Sequence, residues 1–304
     1  MNKTNTGKAM VFIGLTFLFN WLLAGLFFAS GGELNTSAGL AMTVFYMFIP
    51  MIVAIIVQKG IYKEPIKEPL GISFKLNRWF LVAWLLPPIT AFATFGVSLF
   101  FAGVEYSQEM AGMFERFKYL LTPEQLEQMR NQTSILPIHP IWIVLLQGLV
   151  AGITINAVAG FGEELGWRGF LQREFAYMGF WKSSMLIGFI WGVWHAPIIL
   201  RGHNYPEHPV TGVFMMIAWC ILLAPIFSYI RLRAKSVIAA AIVHGSLNGT
   251  AGLAIMVVKG GNDLIIGVTG LAGFIVLVLV NFGLFIYDRA STKGPVTLQV
   301  KPDA

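Results

Sequence analysis

Apolar residues run along this chain in long blocks separated by short polar stretches. Blocks able to cross a hydrocarbon core of about 30 Å, which takes about 20 helical residues, recur near 9–30, 38–58, 79–102, 141–172, 183–200, 209–230, 236–258 and 264–287. The pattern predicts an all-α polytopic membrane protein, a bundle of about eight transmembrane helices. The fourth block is the least regular, because its apolar part runs into "GFGEELGWRGFLQREF" at 160–175. Between the third and fourth blocks, the polar segment 103–140 with "TPEQLEQMRNQ" reads as an amphipathic surface helix or an ordered loop. The tail from about 290 to 304, ending "STKGPVTLQVKPDA", reads as disordered. No internal repeat divides the chain, so 1–304 reads as a single transmembrane domain. The first block is longer than the roughly 7–15 apolar residues of a signal peptide and reads as a retained span.

Composition agrees with the pattern. Hydrophobic residues make up 56% of the chain and charged ones 12%, with a mean hydropathy of +0.70, against roughly 45–50% and about 25% in soluble domains. The lone cysteine, Cys220, lies inside an apolar run, which excludes a disulfide framework and a cysteine-based zinc site. Sixteen of the 21 Lys and Arg, counting the motif Arg168 with the turn after the fourth block, fall at the two termini and in the loops after the second, fourth and sixth blocks. That asymmetry predicts both termini on the cytoplasmic side of the cell membrane or its equivalent. Together with attraction to anionic lipid it accounts for the net charge of +6. The partner implied is the bilayer, and no nucleic acid is called for.

Against this background the ionisable residues inside the blocks stand out. Glu163 precedes the basic turn at Arg173 by about 15 Å of helix, which is well inside the bilayer. Groups at that depth are costly unless they face a partner or a water-filled cavity, so they are functional-site candidates by default. Glu164 and Arg168 are spaced i,i+4 with the acid first, the favourable order for an ion pair on one helical face. Glu163 points about 100° away and is left over. His195 in "WGVWH" follows Lys182 by about 20 Å of helix, and His244 and Asn248 in "HGSLN" follow Lys235 by about 13 and 20 Å. These residues fall in one layer of the membrane, on three different spans, and one shared site explains them better than three separate accidents.

A glutamate and a histidine can together hold and deprotonate a water molecule. A second histidine and an asparagine amide can stabilise the oxyanion formed when that water attacks a carbonyl. This is equipment for hydrolysing an amide or ester. Glu163, His195 and His244 could equally ligate Zn2+ with one position left for water. The residues leave open whether no cofactor or zinc is required.

The three motifs "EELGWR", "WGVWH" and "HGSLN" resemble those of the CPBP intramembrane proteases. That family comprises the type II CAAX prenyl endopeptidases and bacteriocin-processing or immunity (Abi-like) membrane proteins. The resemblance covers a motif-bearing core at about 141–258. It implies an eight-helix fold and an intramembrane endopeptidase acting on a membrane-associated or prenylated peptide. Glu163 would be the general base, assisted by His195 in holding the water. His244 and Asn248 would stabilise the oxyanion, and Glu164 with Arg168 would brace the site. Trp191 stands where prenyl-protein members commonly carry Phe, an aromatic packing position. A non-catalytic scaffold or immunity protein would keep the same fold without needing every one of these residues. A proton-coupled transporter would be expected to carry inverted repeats, which the sequence lacks. His139, His203 and His208 fall in outer loops and read as ordinary surface histidines.

Overall fold

The computed structural model describes residues 3–117, 122–291 and 294–298. Its helices are α1 (Lys3–Ala29), α2 (Ser37–Ile55), α3 (Arg78–Ser98), α4 (Ala111–Phe117), α5 (Pro123–Ser134), α6 (Pro140–Ile153), α7 (Ile155–Glu164), α8 (Gln172–Glu174), α9 (Phe180–Trp194), α10 (Ala196–Ile199), α11 (Pro209–Ala234), α12 (Val237–Thr250), α13 (Leu253–Met256) and α14 (Leu271–Ala290). Two two-residue strands, β1 (Glu105–Tyr106) and β2 (Val258–Lys259), pair antiparallel between loops. Among the described residues, six helices are long and apolar enough to cross a membrane, and the bent pair α6–α7 makes a seventh crossing if it counts as one span. The chain is an all-α integral membrane protein.

Three expected spans are interrupted in the structure. The block at 141–172 bends by 49° between α6 and the helix that follows. The break falls at Thr154, whose φ of −119° and ψ of −106° cannot continue a helix. Beyond α7 the chain widens into a π-helical stretch, Leu165–Leu171, which holds Arg168. The block at 183–200 stops at Trp194, because Pro197 two residues past His195 has no N–H to offer the preceding turn. The carbonyls left over there are taken by side chains: His195 Nδ1 bonds to Trp191 O at 2.8 Å, while the Tyr46 hydroxyl and the Trp21 indole donate to Trp194 O at 2.7 and 3.3 Å. The block at 236–258 divides into α12 and the short α13.

The segment 103–140 holds α4, β1 and α5, with residues 118–121 outside those described. Thr122 and Gln125 form a capping box at the start of α5, no residue of which is buried. Part of the tail expected to be disordered is held in place. Val296–Leu298 form a 3-10 turn, and the Asp288 carboxylate accepts bonds from Val296 N, Thr297 N and the Thr297 hydroxyl. The rest of that tail, apart from Ser291, Gly294 and Pro295, lies outside the described residues.

Glycine sets how closely the motif-bearing helices approach. A Cβ on Gly148 of α6 would strike the Gly249 carbonyl of α12, one on Gly152 would lie 2.7 Å from Ser246 Cα, and one on Gly245 would lie 2.5 Å from Ala157 N. Two small-xxx-small stripes, Gly148/Gly152 and Gly245/Gly249, therefore bring α12 into backbone contact with α6 and α7. That contact carries His244 to the carboxylates of α7.

Candidate active site

Glu163 and Glu164 end α7, and the i,i+4 rule gives each its own partner on the next turn. Arg168 Nη1 donates to both oxygens of Glu164, at 3.1 and 3.0 Å, and neither residue has any exposed surface. Among the described residues, Arg168 Nε and Nη2 find no hydrogen-bond partner. The guanidinium instead lies over the Trp191 ring at 4.5 Å and the Phe227 ring at 4.9 Å, so aromatic faces take up its charge. Trp167, four residues after Glu163, points its indole N–H at Glu163 Oε2 at 3.4 Å. Trp191, from α9, donates to the same oxygen at 2.7 Å.

His244 enters from α12 between the two carboxylates. Its Nδ1 bonds to Glu164 Oε1 at 2.8 Å, and its Nε2 lies 3.9 Å from Glu163 Oε1. The first distance is a charge-assisted hydrogen bond; the second is too long for one. Arg168, Glu164 and His244 thus form one chain of contacts. The brace expected of Glu164 and Arg168 reaches the second histidine.

His195 caps α9 and is 9% exposed. A carbonyl oxygen only accepts, so its bond to Trp191 O fixes a proton on Nδ1 and leaves the Nε2 lone pair free. Its ring centroid lies 4.7 Å from that of Trp194 and 5.7 Å from that of Trp191, which is itself 5.6 Å from His244. Trp191 therefore touches Glu163, Arg168 and both histidines, much more than the packing role read from the sequence. Asn248, one turn beyond His244, is exposed and makes no side-chain hydrogen bond among the described residues.

Sequence reasoning missed Trp167 and Tyr46. The i,i+4 spacing from Glu163 could have found Trp167. Nothing local announced Tyr46, whose hydroxyl crosses from α2 to the end of α9. The loop histidines are not idle either. His139 caps α6 and bonds to Gln108 O at 3.0 Å. His203 is half-buried, and burial holds its imidazole below the ordinary value.

A four-coordinate zinc ion has bonds of about 2.0–2.2 Å to nitrogen and oxygen, so its donors must converge closely. Among the described residues, one group of three His, Cys, Asp or Glu donors lies within 4.8 Å of one another, and it is Glu207, His208 and Asp263. There His208 Nδ1 and Asp263 Oδ1 are 2.6 Å apart, and Asp263 Oδ2 accepts from Glu207 N and His208 N, a hydrogen-bonded clasp between two loops. Glu163, His195 and His244 do not converge to that degree. Their arrangement does not fit the zinc ligand set that the sequence left open.

Residues 137–250 match the family model for type II CAAX prenyl endopeptidase Rce1-like proteins. The match spans the three motifs at 163–168, 191–195 and 244–248 and supports a peptidase. Among curated proteins, none matches the chain.

Proposed function

Since residues 137–250 match the family model for Rce1-like type II CAAX prenyl endopeptidases, we propose that the protein is an intramembrane endopeptidase that cuts a membrane-associated peptide of the CAAX type by a metal-free, glutamate-dependent route. Glu163 is the general base. A water in the gap between Glu163 Oε1 and His244 Nε2 gives a proton to the carboxylate while its oxygen bonds to the scissile carbonyl carbon. The His195 Nε2 lone pair helps to hold that water. His244 Nε2–H and the Asn248 amide donate to the resulting oxyanion. As the oxyanion collapses, the C–N bond breaks and Glu163 passes its proton to the leaving amine. Both termini lie on the cytoplasmic side.

The observation that carries this reading is the buried Glu163 carboxylate, 3.9 Å from an imidazole whose far nitrogen is held by Glu164. A carboxylate and an imidazole at that spacing can share a water, and the Arg168 charge already satisfies the neighbouring acid. The test uses purified protein with a prenylated CAAX peptide and an unprenylated control. Glu163→Gln keeps shape but removes the proton acceptor, so cleavage should fall by about 10²–10⁴-fold with the substrate still bound. Cleavage at the parent rate would remove Glu163 from the chemistry. Exhaustive chelation should leave the rate unchanged. A rate restored only by added zinc would overturn the metal-free version.

A further inference from the structure

Two tryptophans converge on one carboxylate oxygen. Trp191 Nε1 lies 2.7 Å and Trp167 Nε1 3.4 Å from Glu163 Oε2, whereas Oε1 faces His244. The indole N–H only donates, so both bonds are offered to the carboxylate. Both indoles are buried and locked by neighbours. The Trp167 ring packs edge-on against Phe12 and Trp194, and the Trp191 ring against His244. The other groups around Glu163 are Glu164 and Arg168 on its own chain segment, His244 on α12, and Tyr46 and Cys220 on α2 and α11. Among the described residues none of them makes a hydrogen bond to Glu163, so the two indoles are its hydrogen-bond donors, with His244 Nε2 facing the other oxygen at 3.9 Å.

We propose that the indole N–H groups of Trp191 and Trp167 are positioning groups that clamp Glu163 by Oε2, leaving Oε1 as the single oxygen aimed at the gap beside His244. A carboxylate free to rotate about its terminal torsion would present either oxygen, since that torsion is broad and two-fold. With Oε2 held, one lone-pair direction remains for the reaction. A phenylalanine at 191 would fill similar space but could not donate. The clamp is thus a consequence of tryptophan standing at that position. Its catalytic meaning rests on the peptidase reading above; the orientation itself does not.

The experiment therefore has two arms. In the first, Trp191→Phe should lower kcat on the order of 10–100-fold, the ratio for losing a hydrogen bond to a charged group, with KM within about twofold. Trp167→Phe, which removes the longer bond, should cost only a few-fold. In the second, the infrared carboxyl band of Glu163, isolated by subtracting the Glu163→Gln spectrum, should shift in Trp191→Phe and shift less in Trp167→Phe. If Trp191→Phe fails to fold, benzothienylalanine at 191 replaces the N–H by sulfur at nearly the same shape and should give the same shift. Unchanged kcat and an unchanged band in the double variant would overturn the proposal. A parent protein that cuts no peptide but whose Glu163 band still shifts would leave the clamp standing and remove the peptidase reading. A KM rise at constant kcat would make Trp191 part of substrate binding instead, and would also overturn it.

Discussion

At the scale of single residues, the site is governed by which group satisfies which charge. Arg168 is fully buried and bonds through Nη1 to Glu164, which in turn holds His244 Nδ1. Removing the arginine leaves a buried carboxylate without its cation, a change that costs about 3–5 kcal/mol in other broken buried pairs. Arg168→Ala should therefore lower the thermal midpoint in detergent and the yield of folded protein. A variant that folds normally and keeps full activity would contradict the brace. Asn248 gives the opposite expectation. Its side chain is exposed and makes no hydrogen bond among the described residues, so Asn248→Ala should leave stability within about 0.5 kcal/mol while lowering kcat about 10²–10³-fold as oxyanion donors do. Equal losses of stability and rate would make Asn248 a structural residue. The Glu164–Arg168 pair and the separate direction of Glu163 were legible in the sequence, because neighbours on a helix diverge by about 100°. The bond from Glu164 to His244 was not, since it joins residues 80 positions apart and depends on how α12 lies against α7.

At the scale of elements, the interruptions matter as much as the helices. The apolar blocks located the spans but could not locate their breaks, because hydropathy is blind to backbone torsions. Thr154 carries no proline or glycine signal, and its break depends on tertiary contacts. The stop after Trp194 could have been read from Pro197. The close approach of α12 to α6 and α7 was partly legible too, as Gly148-xxx-Gly152 and Gly245-xxx-Gly249, although one sequence does not say that the two stripes meet. Since a Cβ at Gly245 would sit 2.5 Å from Ala157 N and 2.6 Å from Gly152 O, backbone atoms that cannot swing aside, Gly245→Ala should push α12 outward. Overpacking of this kind costs about 1–3 kcal/mol, and His244 would move away from Glu164 as it happened. Gly252→Ala, where nothing lies within 4 Å, is the matched control. Equal thermal midpoints for the two variants would show that the α12 contact is loose.

At the scale of the whole molecule, loop contacts sort the connections onto two faces. On one, Lys8 pairs with Glu64, which Arg173 also reaches at 3.0 Å, and Val237 N bonds to Gly71 O at 2.8 Å. Arg233 meets Asp288 there at 2.7 Å, joining the ends of α11 and α14 on this side. On the other, the Arg201 guanidinium covers Phe28, His208 meets Asp263, and the Tyr205 hydroxyl donates to Thr269 O at 2.7 Å. The first face holds the basic residues Lys8, Arg173 and Arg233. Its Glu64 lies outside the spans, and the Lys8 hydrogen bond, aided by Arg173 against partial burial, draws its carboxyl below the ordinary value. A depressed carboxyl contributes stability above its unfolded pKa of about 4.3 and loses it as the pH falls through the lower folded value. The gap in thermal midpoint between the parent and Glu64→Gln should therefore be widest near neutral pH and close in acid; a gap unchanged down to about pH 3 would mean that the cluster is not ionic. Which face meets the cytoplasm follows from electrostatics of insertion, because Lys and Arg in short loops resist translocation while Asp and Glu contribute little. Since 16 of the 21 Lys and Arg, the motif Arg168 counted among them, fall by sequence at the two termini and in the connections on their side, a reporter fused after Ala304 should be active only in its cytoplasmic form. A reporter active on the opposite side would invert the molecule and bring any substrate to the site from outside.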